Sequence, residues 1–247
     1  MTARRPRVLV TRPEPGASRT AAALDAAGIE AIICPFTETV DLQVSAASVA
    51  AAARVDAVAV TSAKALTHAP PALTDAVRAK PVFAVGDATA RAARALGMGN
   101  VRSADGDAIA LANLIGDTIV ADAPVAYLCG RVRTGELERR LSETGRKITL
   151  IETYDIQKVS QLTDKITGAL ENGDLDGILL HSGMSARLLA DALGVTNEQQ
   201  LIDKKTLFTI SERAGEPLAA ITDAAIIAAP VPRDDALIDT VRRHFLR

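Results

Sequence analysis

Aromatic residues are scarce in this sequence, and tryptophan is absent altogether. Aromatic side chains make up 2% of the 247 residues, whereas 48% of the chain is hydrophobic. A core of this composition must be aliphatic, which suits helices packed closely on sheets. The scarcity of aromatic rings also argues against a bound flavin, because flavins stack on such rings.

Cysteine and histidine are equally sparse, with two and three copies. Cys34 and Cys129 lie far apart without a CxxC motif, so we expect two free buried thiols. His68, His181 and His244 have no carboxylate or cysteine at metal-ligand spacing. The sequence therefore predicts neither a zinc site nor a redox motif, and we expect no metal and no cofactor.

The chain also lacks strong net charge, long apolar runs and the common phosphate-binding motifs. Its formal net charge of −2 predicts no general attraction to nucleic acid or anionic membranes. The N-terminal apolar run breaks at Thr11, too early for a signal peptide, and no stretch approaches the roughly 20 apolar residues of a membrane span. GxGxxG, GxxxxGK(S/T) and GxSxG are absent, and GMGN at 97–100 is interpreted as a helix end. We expect a cytoplasmic protein.

Short apolar runs alternate with segments that suit helices, and each run ends in a polar turn. The runs cover residues 7–12, 29–35, 55–60, 81–85, 124–129, 147–152, 175–180, 206–210 and 224–229. Strands that alternate with helices form parallel sheets covered on both faces. The pattern therefore predicts an α/β fold with parallel sheets flanked by helices.

Three pairs of segments repeat in order along the chain at nearly one offset. VAVTSAKAL resembles ILLHSGMSARLL, VFAVGDATARAARAL resembles LFTISERAGEPLAAI, and LVTRPEPGASRTAAALDAAG resembles YLCGRVRTGELERRLSETG. The repeat predicts two copies of one architecture, although Ala-rich α/β segments also resemble one another by chance.

The segments that join the two copies are expected to be extended. Residues 36–42 and 153–159 alternate polar with apolar side chains and each follow a second strand, so we expect two crossing strands there. The first domain would then be discontinuous, built from 1–35 and 160–247, with an inserted second domain at 43–150.

Polar residues cluster in the turns at the carboxyl ends of the predicted strands, where open parallel sheets bind their ligands. Hydroxyls and free backbone N–H groups of these turns would converge on a cleft that suits an anion, although each Ser or Thr taken alone is equally suited to cap a helix. The candidate binding residues are Thr11, Arg12, Thr61, Ser62, Lys64, Gly86, Thr89, Gly130, Arg131, Ser182, Gly183, Ser211 and Arg213.

Basic residues in or beside the same turns predict a positive field in the cleft, although solvated surface arginines would look the same in sequence. They are Arg12, Lys64, Arg131, Arg133, Arg187 and Arg213. Of the two tyrosines, Tyr127 lies inside a predicted strand and is expected to pack in the core. Tyr154 lies in the second crossing segment, where its side chain could face the space between domains.

The order and spacing of these pieces resemble the uroporphyrinogen-III synthase family over essentially the whole chain. The matching pieces are LVTRPE, VAVTSAKAL, FAVGDATARAARALG, ITLIETYDIQ, ILLHSGMSARLL and TISERAGEPLA. The resemblance implies two HemD-like, flavodoxin-like α/β domains joined by a two-stranded β-ladder. It also implies a cofactor-free lyase of tetrapyrrole (haem) biosynthesis that cyclises linear hydroxymethylbilane, inverts its last ring (ring D) and releases water.

The same resemblance implies roles for particular residues. Thr89, Ser62 and Ser182 match hydroxyl-bearing turn residues of the family, and Tyr154 matches its cleft-facing tyrosine, which implies a proton donor or a positioning group. The turn that contains Arg213 departs from the family's glycine-proline-threonine version, so the arginine is expected to take over an anionic contact. We expect a monomer, and a transient contact with the preceding pathway enzyme stays open.

Three other interpretations remain open at the level of sequence. A non-catalytic two-lobed binding module would share the architecture. A sugar-nucleotide transferase would also have two lobes, but no glycine cluster for a diphosphate is present. A pair of response-regulator-like or flavodoxin-like domains is disfavoured because Asp56 precedes its strand instead of ending one.

Overall fold

The computed structural model describes residues 4–172, 174–196 and 199–246. Its strands are β1 (Arg7–Val10), β2 (Glu30–Ile33), β3 (Thr37–Asp41), β4 (Ala57–Val60), β5 (Val82–Ala84), β6 (Val101–Ser103), β7 (Val125–Gly130), β8 (Ile148–Lys158), β9 (Gly177–Leu180), β10 (Thr206–Thr209) and β11 (Ala225–Ala228). Its α-helices are α1 (Gly16–Ala26), α2 (Ala46–Ala53), α3 (Ala63–Thr67), α4 (Pro71–Val77), α5 (Asp87–Ala95), α6 (Ala108–Thr118), α7 (Glu136–Glu143), α8 (Leu162–Asn172), α9 (Gly183–Thr196), α10 (Glu212–Ala219) and α11 (Asp234–Phe245).

The chain divides by its internal contacts into two compact units. The first consists of the segment up to Glu38 together with the segment from Gln157 onwards, and the second is Thr39–Ile156. Each unit contains one sheet, and the predicted α/β class is confirmed.

The first unit contains a five-stranded sheet in the order β11-β10-β9-β1-β2, with parallel pairing throughout. Strand β9 shows how the sheet is covered on both faces. Ile178 and Leu180 belong to the core beneath α8, α9 and α10, whereas Leu179 belongs to the core beneath α1 and α11. Because both faces are buried, the central strands must be apolar at every position, and polar groups are confined to their ends.

The second unit contains a six-stranded sheet in the order β3-β8-β7-β4-β5-β6. The pairs from β8 to β6 are parallel. Beside β3, the Leu42 amide donates to the Thr153 carbonyl and the Val159 amide to the Phe36 carbonyl, so these two strands run antiparallel. The extended segment predicted at 36–42 is thus a strand, and β8 extends through most of 153–159.

The two sheets repeat one strand order. The order β11-β10-β9-β1-β2 corresponds, strand by strand, to β6-β5-β4-β7-β8. The three pairs of matching sequence segments lie on corresponding strands, β4 with β9, β5 with β10 and β7 with β1. In each sheet, successive strands of the chain are added on one side of a point and then on the other side. This topological switch point lies between β9 and β1 in the first sheet and between β4 and β7 in the second.

All nine apolar runs form strands, but β6 has no counterpart among them. Its three residues, VRS, include an exposed arginine and two half-buried neighbours, so they carry no apolar signal. The helix end predicted at GMGN is confirmed, because Gly97 follows α5 with a φ of +78°.

Both cysteines are free thiols, as predicted. Burial raises the pKa of Cys129 to about 12, whereas Cys34 is only partly buried. Among the described residues, no helix is long and apolar enough to cross a membrane.

Two glycines provide a matched test of the packing in this fold. A Cβ at Gly177 in β9 would lie 2.8 Å from the Phe208 ring and 2.9 Å from the Thr206 carbonyl oxygen, whereas one at Gly116 in α6 would meet nothing within 4 Å. Gly177→Ala should cost about 1–3 kcal/mol of unfolding free energy, and Gly116→Ala should add about 0.5–1 kcal/mol. Urea unfolding followed by circular dichroism measures both. Equal midpoints for the two variants would contradict this packing.

Candidate active site

The turn after β1 contains two of the predicted residues. Thr11 is completely buried, and its hydroxyl donates to the carbonyl oxygen of Leu179 at 2.7 Å. Arg12 forms an ion pair with Asp234, with 2.5 Å between Nη1 and Oδ2, and 21% of its side chain is exposed. The hydroxyl of Thr11 is therefore committed to tying β1 to β9, whereas the charge of Arg12 lies near the surface.

A groove of about 450 Å³ lies between the starts of α9 and α10 and contains four more predicted residues. They are Ser182, Gly183, Ser211 and Arg213. The Ser182 hydroxyl accepts a hydrogen bond from the Ser185 amide at 3.1 Å, and the Ser211 hydroxyl accepts one from the Ala214 amide at 3.3 Å. Both serines therefore cap helices, and the Ser182 hydroxyl also lies 3.1 Å from the Ser185 hydroxyl, whereas the hydroxyl hydrogen of Ser211 stays available to a ligand.

Two arginines give this groove a positive charge. Arg187 and Arg213 are exposed lining residues, and neither forms an ion pair within the part of the chain that the structure describes. Glu216 also lines the groove, so the residues that line it carry a net charge of +1. Guanidinium groups beside the first amides of two helices suit a carboxylate or a phosphate.

His181 follows β9 and is the least satisfied polar side chain of the first unit's strand ends. Its side chain is 8% exposed, and both ring nitrogens are sealed from solvent without a hydrogen-bond partner. The nearest carboxylate oxygen, Oδ1 of Asp234, lies 4.0 Å from Nε2. Burial, and then the charge of Arg12, lower the pKa of His181 to about 4 against the opposing effect of Asp234, so the imidazole is neutral at pH 7.

In the second unit, the turn after β4 is held by hydrogen bonds to its own neighbours. The Thr61 hydroxyl lies 2.7 Å from the hydroxyl of Tyr127, which packs in the core as predicted. Burial raises the pKa of Tyr127 to about 12, so it stays protonated. Ser62 accepts from the Lys64 amide at 3.2 Å, and Lys64 Nζ donates to the Thr39 hydroxyl at 2.9 Å.

The turn after β5 is more open. Gly86 precedes α5 with extended backbone, and no atom lies within 4 Å of where its Cβ would be. Thr89 lies in the first turn of α5 and is 5% exposed. The backbone amides that begin α5 are therefore the accessible donors of this turn.

Gly130, Arg131 and Tyr154 lie together at the end of β7. A Cβ at Gly130 would lie 2.6 Å from Cζ of Tyr154 and 2.9 Å from its hydroxyl oxygen, so the ring can occupy this position only because residue 130 is glycine. Tyr154 is 8% exposed, and its hydroxyl forms no hydrogen bond within the described residues. Unlike the ring nitrogens of His181, this hydroxyl is not sealed from solvent.

A histidine ring also lies near this tyrosine. The ring centroids of His68 and Tyr154 are 5.9 Å apart, and Nδ1 of His68 lies 2.5 Å from a carboxylate oxygen of Asp41. The carboxylate orients the imidazole, which lies beside the tyrosine ring.

Three of the six basic residues that predicted a positive field are ion paired. Arg12 pairs with Asp234, Arg131 with Glu152 and Asp155, and Arg133 with Glu138 and Glu152. The Lys64 ammonium donates to the Thr39 hydroxyl, and Arg187 and Arg213 form no ion pair among the described residues. Of the five arginines, the two without an acidic partner in the described part of the chain therefore both line the groove of the first unit.

Sequence reasoning missed the acidic partners and one aromatic neighbour of these residues. They are Asp41, His68, Glu138, Glu152, Asp155 and Asp234. Glu152 and Asp155 lie on β8 close to Tyr154. Because β8 pairs with β7, the strand pattern could have placed both carboxylates beside Arg131 at the end of β7. Asp234 lies 222 residues from Arg12 in sequence, and no local signal links the two.

Two doubly wound sheets, with polar turns and helix starts at the carboxyl ends of their strands, define an α/β protein of the kind that binds ligands at those ends. Within the described residues, no group of three or more potential metal ligands occurs. A family model of uroporphyrinogen-III synthase HemD matches residues 18–239. The chain belongs to this family.

Solved structures share the fold at low sequence identity. A mutant uroporphyrinogen III synthase from the extremely thermophilic bacterium Thermus thermophilus is 16% identical, with a TM-score of 0.59 over 96% of this chain and 98% of that one. The uroporphyrinogen-III synthetase from Helicobacter pylori is 14% identical, with a TM-score of 0.60 over 98% of this chain and 100% of that one. Among curated proteins, no significant match is found.

The unpaired His181 predicts a specific pH dependence of stability. Its pKa is about 4 in the folded protein and about 6.5 in an unfolded chain, so the unfolded state takes up the proton first as pH falls. The unfolding free energy that this residue contributes is therefore fully present above pH 6.5 and is lost as the pH falls towards 4. The loss amounts to up to about 3 kcal/mol. Between pH 7 and pH 4, the unfolding free energy of the His181→Asn variant should therefore fall by about 3 kcal/mol less than that of the wild type. Urea unfolding at both pH values measures the two changes. Equal losses in the two proteins would show that the imidazole is not shielded.

Proposed function

We propose that this chain cyclises linear hydroxymethylbilane to uroporphyrinogen III, with inversion of ring D and release of water. The observation that carries the proposal is the family match over residues 18–239. The strand-end turns of both sheets add support, since they supply the donors that a polyanionic substrate requires. A non-catalytic binding module is not favoured by the family match.

The chemistry of the substrate explains the character of these turns. Linear hydroxymethylbilane carries eight carboxylates on four pyrrole rings and few other groups that can form hydrogen bonds. Charge-assisted hydrogen bonds to carboxylates are each worth roughly 1.5–3 kcal/mol. In the first unit, Arg187 and Arg213 and the free amides of α9 and α10 offer such bonds, and in the second unit the amides of α5 do so.

The reaction itself requires orientation more than strong acid or base chemistry. Departure of the terminal hydroxyl as water, pushed by a pyrrole nitrogen, leaves an azafulvene. The substituted carbon of ring D attacks it to form a spiro intermediate, which fragments and recloses at the other carbon with loss of a proton. The protein must hold the chain ends so that this route outruns simple head-to-tail closure.

Tyr154 is proposed as the proton donor to the departing hydroxyl. Its hydroxyl reaches solvent and has no partner among the described residues, while its ring packs on Gly130 and lies near the His68 ring. A fixed phenol with a free O–H group can donate directly or through one water. The same placement would serve to position substrate, and the two roles differ in their effect on turnover.

The remaining expectations form part of the same proposal. The contact division of the chain supports a discontinuous domain at 1–35 and 160–247 and an inserted domain at 43–150, with crossings at 36–42 and 153–159. We further propose that the enzyme is a cytoplasmic monomer that contacts the preceding pathway enzyme transiently.

The function is tested by a coupled assay in which hydroxymethylbilane is generated in the presence of this protein. Products are oxidised, and the type I and type III uroporphyrin isomers are separated by chromatography. We expect predominantly type III, because orientation of the chain ends suppresses spontaneous closure. Type I alone, from protein shown to be folded by circular dichroism, would contradict the proposal.

The role of Tyr154 is tested by Tyr154→Phe, with Tyr127→Phe as the matched control. Loss of a donor used in the limiting step should lower kcat by more than about tenfold with little change in KM. The control removes a hydroxyl that bonds Thr61 in the core, and it should affect stability more than turnover. Near-normal kcat in Tyr154→Phe would rule out the donor role and leave positioning.

A further inference from the structure

Arg12 and His181 lie side by side at the switch point of the first unit's sheet. Strands β1 and β9 are neighbours, with Val10 paired to Leu179; His181 is the first residue after β9, and Arg12 is the second after β1. In open parallel sheets, ligands bind outside the carboxyl ends of the strands where the order reverses. The position is therefore one that the fold favours for a ligand.

His181 has hydrogen-bonding capacity that the protein does not use. A neutral imidazole has one donor nitrogen and one acceptor nitrogen, and here both are buried without partners. Buried polar groups are rarely left in this state, because the lost hydration is not replaced. Its Nε2 faces Asp234, but at 4.0 Å the two atoms are too far apart for a hydrogen bond.

The side chain of Arg12 is held in place by residues of α1. Its guanidinium packs on Gly16, where a Cβ would come within 2.4 Å of Nε, and Nη1 also approaches the Thr20 hydroxyl at 3.4 Å. The remaining partner is the Asp234 carboxylate, which is 50% exposed at the start of α11. Arg12 is thus fixed by the protein, whereas the carboxylate opposite it lies at the surface.

We propose that Arg12 and His181 form a carboxylate-binding subsite, and that Asp234 occupies it as an internal stand-in until a carboxylate of the ligand displaces it. The inference deepens the proposed function, on which it rests, by assigning one acetate or propionate of the tetrapyrrole to this place. One carboxylate oxygen of Asp234, Oδ2, pairs with Nη1 of Arg12, and the other, Oδ1, lies 4.0 Å from Nε2 of His181. A ligand carboxylate, free of the α11 backbone, can approach both groups and provide the missing hydrogen bond.

A purely structural ion pair makes a different prediction. If the Arg12–Asp234 pair only ties β1 to α11, removal of the carboxylate should lower stability and leave ligand affinity unchanged. If Asp234 competes with the ligand, its removal should raise affinity whatever happens to stability. The two cases differ in their effect on ligand affinity, so a change in folding alone cannot be mistaken for the effect.

The experiment compares Asp234→Asn with Asp239→Asn, which removes the same charge from the same helix where Asp239 pairs with Arg242 and Arg243. The KM for hydroxymethylbilane should fall about two- to fivefold in Asp234→Asn, with kcat little changed, and should stay near the wild-type value in the control. Adding His181→Phe to Asp234→Asn should abolish the gain, since the imidazole donor is then missing. A KM in Asp234→Asn equal to or above that of the control would overturn the proposal.

A second readout separates this inference from the proposed function. Quenching of uroporphyrin III fluorescence measures the Kd of the same variants for a non-reacting octacarboxylate, with no turnover required. If the wild type forms no type III isomer, the proposed function fails, yet tighter uroporphyrin binding by Asp234→Asn would still support the subsite. If type III forms and Asp234→Asn binds no more tightly than Asp239→Asn, the subsite fails and the function stands.

Discussion

Parallel strand pairing is the constraint on which the rest of this structure depends. Because the paired strands of the first unit all point the same way, their carboxyl ends and the starts of the following helices meet at one sheet edge. The same holds from β8 to β6 in the second unit. Backbone N–H groups that no helix can satisfy are thereby gathered where a ligand can reach them. Such an edge offers donors to an anion without a phosphate-binding motif.

The same constraint dictates where polar side chains can lie. Strands buried on both faces tolerate few polar groups, so these occur at the last residue or just beyond it. Thr11 and Thr61 satisfy their hydroxyls within the sheet, whereas Ser182 and Ser211 cap helices and line an open groove. Strand-end hydroxyls thus divide into those that hold the fold together and those that remain accessible.

Local sequence signals were sufficient to predict the positions of the turns and every strand except β6. Continuous apolar runs mark strands buried on both faces, and glycine with positive φ marks the ends of helices such as α5. Tertiary partners were out of reach, because ion pairs such as Arg12–Asp234 join segments that are remote in sequence. The strand β6 was also missed, since an edge strand of three residues needs no apolar pattern of its own.

The proposed function places the carboxylates of the tetrapyrrole at the carboxyl ends of both sheets. NMR titration of the labelled protein with uroporphyrin III, followed by the backbone amide chemical shifts, tests this placement. We expect the largest shift changes in the turns after β1, β9 and β10 and in those after β4, β5 and β7, with the opposite sheet edges unaffected. Changes confined to those opposite edges, or absent from the turns at saturating ligand, would contradict it.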